Sequence, residues 1–312
     1  MGTQWTAEDI PAQEGRTIVV TGATSGLGLE SALALARAGA RVLMAGRNPE
    51  KAERARADVA AVATGPEPEV VALDLADLAS VRDAAAAIAE RAPRLDVLMN
   101  NAGVMALPRA TTADGFEMQL GTNHLGHFAL TGLLLPSLLA ADAGRVVTTS
   151  SSAHTPGRMR WDDLQGERRY QRWLAYAQSK LANLLFAYEL DRRARAAKTA
   201  LASVAAHPGY ASTHLQAAGP EMSGSKVGVR VMDIANRIAA QPAADGALPQ
   251  LYAASMADVR GGEYFGPTRL FGMRGAPIRV ESTKRSHSRE DAARLWEVSE
   301  ELTGVTYEWP LA

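Results

Sequence analysis

A β-branched run, Thr17-Ile18-Val19-Val20-Thr21, passes directly into Gly22-Ala23-Thr24-Ser25-Gly26-Leu27-Gly28, which opens an Ala/Leu-rich stretch reaching residue 38. The run is expected to be a short buried strand and the stretch a helix. Three glycines in the turn between them let the helix start press close against the strand end. The same alternation then repeats along the chain. Strands are expected at 41–45, 70–73, 95–99, 144–149 and 200–206. Helices are expected from Pro49 after a capping Asn48, from about 77 to 91, over 118–141, and from 176 to about 195. Regular strand–helix alternation argues for an α/β fold, a doubly wound (Rossmann) parallel sheet with helices on both faces. No Pro/Gly/Ser-rich linker and no internal repeat divides the chain, so 1–312 reads as a single domain.

Composition removes several function classes. Lys and Arg number 33 against 34 Asp and Glu, a net charge of −1, so there is no global basic field for nucleic acid. Cysteine is absent, which excludes disulfides, thiol catalysis and Cys-ligated metals, and makes a reducing, cytoplasmic compartment the expectation. Residues 1–16 contain Glu8, Asp9 and Glu14 and no apolar core, so neither a signal peptide nor a membrane anchor is expected there. The stretch 118–141 has no Asp, Glu, Lys or Arg and is long enough to span a bilayer. Its Gln119, Asn123, His124, His127 and Pro136 would be costly in lipid, and a buried helix is the better reading.

A glycine-spaced turn between a first strand and a first helix is what a dinucleotide pyrophosphate requires. The backbone can approach the phosphates, and the helix N-terminus offers free N–H groups and a positive dipole end. Gly22, Thr24, Ser25, Gly26, Leu27 and Gly28 are therefore cofactor-contact candidates. The second strand ends in Gly46-Arg47-Asn48. An acid near this point would bind a ribose 2′-hydroxyl, whereas a basic residue suits a 2′-phosphate, so Arg47 favours NADP(H) over NAD, with a solvated arginine as the plain alternative. Ser25 could add a hydroxyl contact. Asp74, followed by Leu75 at the end of the third strand, is placed to meet the adenine end or to cap the next helix.

Tyr176 and Lys180 stand four residues apart, on one face of a helix. An ammonium beside a phenol stabilises the phenolate, so the Tyr176 pKa is expected to fall toward the range of a working acid/base. Any helix carrying a Tyr and a Lys has a fair chance of this spacing, so a solvated surface pair is the plain reading of these two residues alone.

With the glycine turn upstream and Tyr176-x-x-x-Lys180 downstream, the chain resembles the short-chain dehydrogenase/reductase family, and within it the retinol-dehydrogenase-like branch. Further landmarks agree in order: Asn100-Asn101-Ala102-Gly103, Asn123 in Thr122-Asn123-His124-Leu125-Gly126-His127, Ser151-Ser152-Ala153-His154, and His207-Pro208-Gly209 with Thr213 beyond. The resemblance implies Tyr176 as general acid/base and Lys180 as its electrostatic partner and a ribose contact. It implies Ser151 as the hydroxyl that holds the substrate oxygen, and Asn123 as the holder of a relay water. Asn101, Ala102 and Gly103 would pass along the cofactor ribose, and Pro208, Gly209 and Thr213 would meet its nicotinamide end. Of three adjoining serines, Ser151 is selected by aligning the strand end. Related enzymes form dimers or tetramers through the helices after the fourth and fifth strands, so a homodimer or homotetramer is an expectation.

No His cluster has the spacing and acidic partner of a metal site, and no metal is expected. His124, His127, His154 and His207 read as packing residues or as supports behind the site, with a pocket-lining role left open for His154 beside Ser151. The chain is thus expected to divide into a dinucleotide-binding and catalytic core (14–210), a substrate lid and rim (211–280) and a C-terminal helix and tail (281–312). Residues 223–240 have an amphipathic spacing that suits such a lid. The leading functional expectation is an NADP-dependent enzyme moving a hydride between nicotinamide and a carbonyl or alcohol on an apolar or bulky small molecule. An NADP(H)-sensing binding protein on the same fold is the alternative.

Overall fold

The computed structural model describes residues 4–210, 241–270 and 272–310. Thr213, the 223–240 stretch expected as a lid, and Phe271 lie outside the described residues. Eight strands form one sheet in the order β3-β2-β1-β4-β5-β6-β7-β8. They are β1 (Thr17–Thr21), β2 (Arg41–Gly46), β3 (Glu69–Ala72), β4 (Val97–Asn100), β5 (Arg145–Thr149), β6 (Ala202–Ala206), β7 (Tyr264–Arg269) and β8 (Arg274–Arg279). Every neighbouring pair is parallel except β7–β8. The chain moves outward from β1 to β3 and returns to β4 on the other side of β1. That reversal opens a crevice beyond the C-terminal ends of β1 and β4.

Side-chain alternation along the strands feeds two cores. Val19, Leu43, Val71, Leu98 and Val146 face one layer, built with α3 (Leu78–Arg91), α5 (Gly126–Leu133) and α7 (Arg172–Ala196). Ile18, Val20, Val42, Met44, Val97 and Val147 face the other, with α1 (Gly26–Arg37), α2 (Pro49–Ala60) and α8 (Ala243–Ser255). Apolar residues on both faces suit a parallel sheet covered on both sides. Caps fall where the sequence places them. Asn48 Oδ1 accepts the Lys51 N–H, and the Asp77 carboxylate accepts from Ala79 and Ser80.

Two expectations need correction. The uncharged stretch 118–141 is not one helix. It runs as α4 (Met118–Leu120), a π turn over Gly121–Leu125, α5, and α6 (Leu135–Leu139) after a break at Leu134. Pro136 has no N–H to give the preceding turn, which breaks the ladder there. The stretch expected only as a substrate lid and rim (211–280) in fact holds, among its described residues, α8 (Ala243–Ser255) and the β7–β8 pair. Its prolines hid the strands. β7 pairs with β6 only at Tyr264 and Phe265, so Pro267 interrupts no ladder on that side, and opposite β8 it faces Pro277.

The last helix, α9 (Arg289–Thr303), capped by Ser288, closes the α5–α7 side. Its Trp296 meets Phe128 edge-on at 5.2 Å, with the Arg193 guanidinium 4.3 Å from its ring. The Tyr307 hydroxyl beyond it donates to the Phe128 carbonyl at 2.7 Å. Among the described residues no helix is long and apolar enough to cross a membrane. Trp296 is 2% exposed, so Trp296→Ala is expected to lower the unfolding free energy by about 3–5 kcal/mol in urea titration. A loss under about 1 kcal/mol would show that α9 is not part of the cooperative core.

Candidate active site

The crevice floor is built by close backbone approach. A Cβ on Gly28 would lie 2.3 Å from the Gly22 carbonyl oxygen and 2.6 Å from Asn101 Nδ2. Gly22 itself has φ of +67°. Only glycine fits both requirements without displacing backbone. At the end of β2, a Cβ on Gly46 would come 2.6 Å from Thr24 Cγ2, so the loop packs directly on that strand. Ser25 is the N-cap of α1 but makes no side-chain capping bond. The first-turn amides of α1 therefore keep donors for an anion. This is the fit a pyrophosphate needs.

The cleft is lined by Gly22, Thr24 to Gly28, Arg47, Asp74, Leu75 and Asn101 to Gly103, all singled out from the sequence. Val104, Thr122 and Lys51 also line it and were not. Lys51 had a usable signal, since it stands one helical turn beyond Arg47. The Arg47 side chain is 75% exposed, with Nη1 3.8 Å from the Asp74 carboxylate. Asp74 also accepts the Ala76 N–H at 3.0 Å, a local turn bond, while the next helix is capped by Asp77 instead.

The second group of residues meets at the C-terminal end of β5. The side chains of Tyr176, Lys180 and Asn123 are buried. Lys180 Nζ donates to the Thr149 carbonyl at 3.2 Å and lies 5.7 Å from the centroid of the Tyr176 ring. The Ser151 hydroxyl stands near enough to the Tyr176 phenol to lower its pKa. Ser150 instead donates to the Lys180 carbonyl, and Ser152 opens a 3-10 turn (Ser152–His154), so of the three serines Ser151 is the one beside Tyr176. A Cβ on Gly103 would lie 3.0 Å from Asn123 Oδ1 and 3.4 Å from Lys180 Nζ, which joins the cleft to this group.

Asn123 sits in the π turn with its side chain fully used. Its Oδ1 accepts from Val104 N at 2.7 Å, and its Nδ2 donates to the Val104 carbonyl and to Ser179 Oγ, both at 2.9 Å. Its carbonyl accepts from His127 Nδ1 at 3.0 Å. Asn123 is thus a clamp between the loop after β4 and α7. Pro208 and Gly209 follow β6, where Gly209 N donates to His207 Nδ1 at 3.2 Å and Gln241 Nε2 to the Pro208 carbonyl at 2.7 Å. His207 is buried, and burial lowers its pKa to about 4.

The expected lowering of the Tyr176 pKa is reversed. Burial pushes it up to about 12, and the neighbouring Ser151 hydroxyl opposes this only in part. Burial also lowers Lys180 to about 8. Desolvation is the largest cause at both groups, because both are enclosed.

Sequence analysis missed Gln250 of α8. Its amide donates to Ser31 Oγ at 2.8 Å and Asn101 Oδ1 at 3.0 Å, and its carbonyl accepts from Thr149 Oγ1 at 3.0 Å. It ties α1, the loop after β4 and the end of β5 together. No motif surrounds it, and only the fold brings its partners together.

Comparison with known proteins agrees with this geometry. A profile of the short chain dehydrogenase family matches residues 16–224. Human retinol dehydrogenase 13 is 40% identical over 298 residues, covering 93% of this chain and 85% of its own length. The crystal structure of an uncharacterized protein from Mycobacterium Paratuberculosis is 45% identical, with a TM-score of 0.80, covering 99% of this chain and all of that one (100%). A short chain dehydrogenase from Shigella flexneri 2a complexed with NADP is 27% identical, with a TM-score of 0.59, over 82% of this chain and 98% of that one.

The buried ammonium gives a pH signature. Burial lowers the Lys180 pKa to about 8, from an ordinary value of 10.5. Between those values the unfolded chain binds more protons, so this group makes stability rise with pH. Relative to Lys180→Met, the wild-type protein is expected to gain on the order of 3 kcal/mol across that window in urea unfolding. Parallel pH profiles for the two proteins would contradict this.

Proposed function

Since the chain belongs to the short chain dehydrogenase family, whose members are oxidoreductases using NAD(P), we propose that it is an NADP-dependent enzyme. In this reading it moves a hydride between the nicotinamide and a carbonyl or alcohol on an apolar or bulky small molecule. The observation that carries the reading is the convergence of Ser151, Tyr176 and Lys180 at the end of β5 beside the glycine-floored cleft.

The cofactor, when bound, would supply or accept the hydride. Gly22 to Gly28 would hold its pyrophosphate, Asn101 to Gly103 its ribose, and Pro208, Gly209 and Thr213 its nicotinamide end. Tyr176 acts at the substrate oxygen. A phenol held protonated by burial suits proton donation to a carbonyl, and the reverse transfer serves alcohol oxidation. Ser151 holds the same oxygen by its hydroxyl and stabilises charge developing there. Lys180 supplies the nearby positive charge when protonated. Asn123 keeps the loop after β4 at a fixed distance from α7.

Arg47 and Lys51 are the two cations of the cleft near the end of β2, and they support a 2′-phosphate on the ribose. An apolar substrate is supported by Trp173, whose ring meets that of Tyr176 edge-on at 6.5 Å and which, like Leu174, is exposed. Relatives named retinol dehydrogenases make retinal one member of the panel to test. A substrate lid in the segment before α8 and the cytoplasmic location belong to the same proposal. A homo-oligomer built on α5 and α7 would have to displace α9, so a monomer or another face fits this chain better. No observation favours the cofactor-sensing alternative.

A nicotinamide-absorbance screen of all-trans-retinal, medium-chain aldehydes, ketones and the matching alcohols, with NADPH and NADP⁺, tests the activity. NADPH is expected to bind at least about tenfold more tightly than NADH, a difference of about 1.4 kcal/mol. Arg47→Ala and Lys51→Ala should each narrow that gap; equal affinities in the wild-type protein would remove the 2′-phosphate assignment. Tyr176→Phe is expected to abolish turnover while NADPH still quenches protein fluorescence with an unchanged Kd. Retained turnover in that variant would sink the mechanism.

A further inference from the structure

We propose that His154 is a positioning residue, whose neutral ring with its proton on Nδ1 fixes the Ser151 carbonyl and so aims the Ser151 hydroxyl at Tyr176 and the substrate oxygen. The inference rests on the reading of Ser151 given above and adds a residue to which that reading assigns no role.

His154 is 4% exposed and has a defined partner at each ring nitrogen. Nδ1 lies 2.7 Å from the Ser151 carbonyl oxygen. The Thr283 N–H points at Nε2 from 3.3 Å. A carbonyl oxygen can only accept and an amide N–H can only donate. One form of the ring satisfies both: a proton on Nδ1 and a lone pair on Nε2. An imidazolium would set Nε2–H against an amide N–H. Burial favours the uncharged ring in the same direction.

The consequence falls on Ser151. Its carbonyl accepts from both the His154 ring and the His154 backbone N–H, the latter at 3.0 Å. Its Oγ accepts the Ala153 N–H at 3.1 Å. With an acceptor site of Oγ used inside the turn, the hydroxyl proton is left to point outward, toward the phenol. The turn is then fastened from far along the chain. Thr283 is 129 residues from His154 in sequence, and Arg285 donates to the Thr155 and Gly157 carbonyls from the same segment. The ring is also wedged sideways. It meets Tyr264 edge-on at 5.9 Å, and Tyr264 lies 5.2 Å from His207, whose Nδ1 accepts from Gly209. One ring therefore links the serine turn both to the C-terminal segment and to the loop after β6.

Thr283 offers a clean way to cut the link. Its φ of −66° and ψ of 154° are values that proline adopts, and its own buried hydroxyl has no hydrogen-bond partner. Thr283→Pro removes the N–H donor while asking little of the backbone.

The test compares His154→Phe, His154→Asn, Thr283→Pro and Ser151→Ala, using the carbonyl compound from the panel that the wild-type protein reduces fastest. NADPH Kd, thermal midpoint, kcat and KM are measured for each, and imidazole ¹⁵N shifts are recorded for His-labelled wild-type protein and Thr283→Pro. His154→Phe should lower kcat at least about tenfold with NADPH Kd unchanged. His154→Asn, which can still donate toward the Ser151 carbonyl, should recover part of the loss. Thr283→Pro should lower kcat several-fold and move the His154 Nε2 resonance. The wild-type spectrum should show the Nδ1-protonated neutral ring. The proposal is overturned by wild-type kcat in His154→Phe, with or without a lowered thermal midpoint, or by an Nε2-protonated or doubly protonated His154. Should His154→Phe fail to fold, Thr283→Pro and the spectrum still decide. Full turnover in Ser151→Ala would overturn the reading of Ser151 itself, whereas an inactive Ser151→Ala beside a fully active His154→Phe would overturn only the positioning role.

Discussion

The seam between β1 and β4 is the constraint on which the rest of the molecule depends. Strand order reverses there, and the crevice exists because the loops leaving the two strands part in opposite directions. A single hydroxyl stitches that seam. Thr21 Oγ1 accepts the N–H groups of Asn101 and Ala102 at 2.9 and 3.0 Å, and lies 2.9 Å from His127 Nε2. The other ring nitrogen of His127 faces the Asn123 carbonyl, which can only accept, so it carries the proton and Thr21 is the donor at Nε2. The order of bonds is therefore fixed from the end of β1, through the loop that lines the cleft, to the π turn. His127 is fully buried, which lowers its pKa to about 4 and keeps the ring in that one form.

This stitching explains why the site can be so dry. Tyr176 and Lys180 are taken out of water at a cost visible in both pKa values. Such a cost is sustained only where surrounding structure holds the groups in place. Here the supports are backbone carbonyls and buried amides: the Thr149 carbonyl under Lys180 and Asn183, Gln250 beneath Thr149, and Asn123 against Val104. The far side of α7 is closed by α9 and its aromatic cluster, so the helix that carries the pair is gripped along both faces.

Most of the first half of the fold was legible because parallel, doubly covered strands announce themselves as β-branched runs between capped helices. Arg41 to Gly46 fell within a residue of its expected limits, and the next helix opens at Pro49 as expected. The tail was not legible, because Pro267 and Pro277 carry loop signals that a strand tolerates only when the neighbouring ladder is absent. That depends on pairing partners far away in sequence. The uncharged stretch after β4 was misread as one helix because composition reports burial but not where the hydrogen-bond ladder breaks. At the site, the glycine loop, Ser151, Tyr176, Lys180 and Asn101 to Gly103 could be named from order and spacing. Gln250 and the use made of Asn123 could not, since each is defined by what lies opposite it.

The sequence by itself determined the covering pattern of the sheet, the glycine floor of the crevice and the one-face spacing of Tyr176 and Lys180, because these depend on local periodicity and on residues near in sequence. Tertiary structure alone decided which way the Tyr176 and Lys180 pKa values move. That sign comes from desolvation, and burial is set by strands and helices from the whole chain. It also decided that a segment near Thr283 would reach back to His154, a contact that no local pattern could announce.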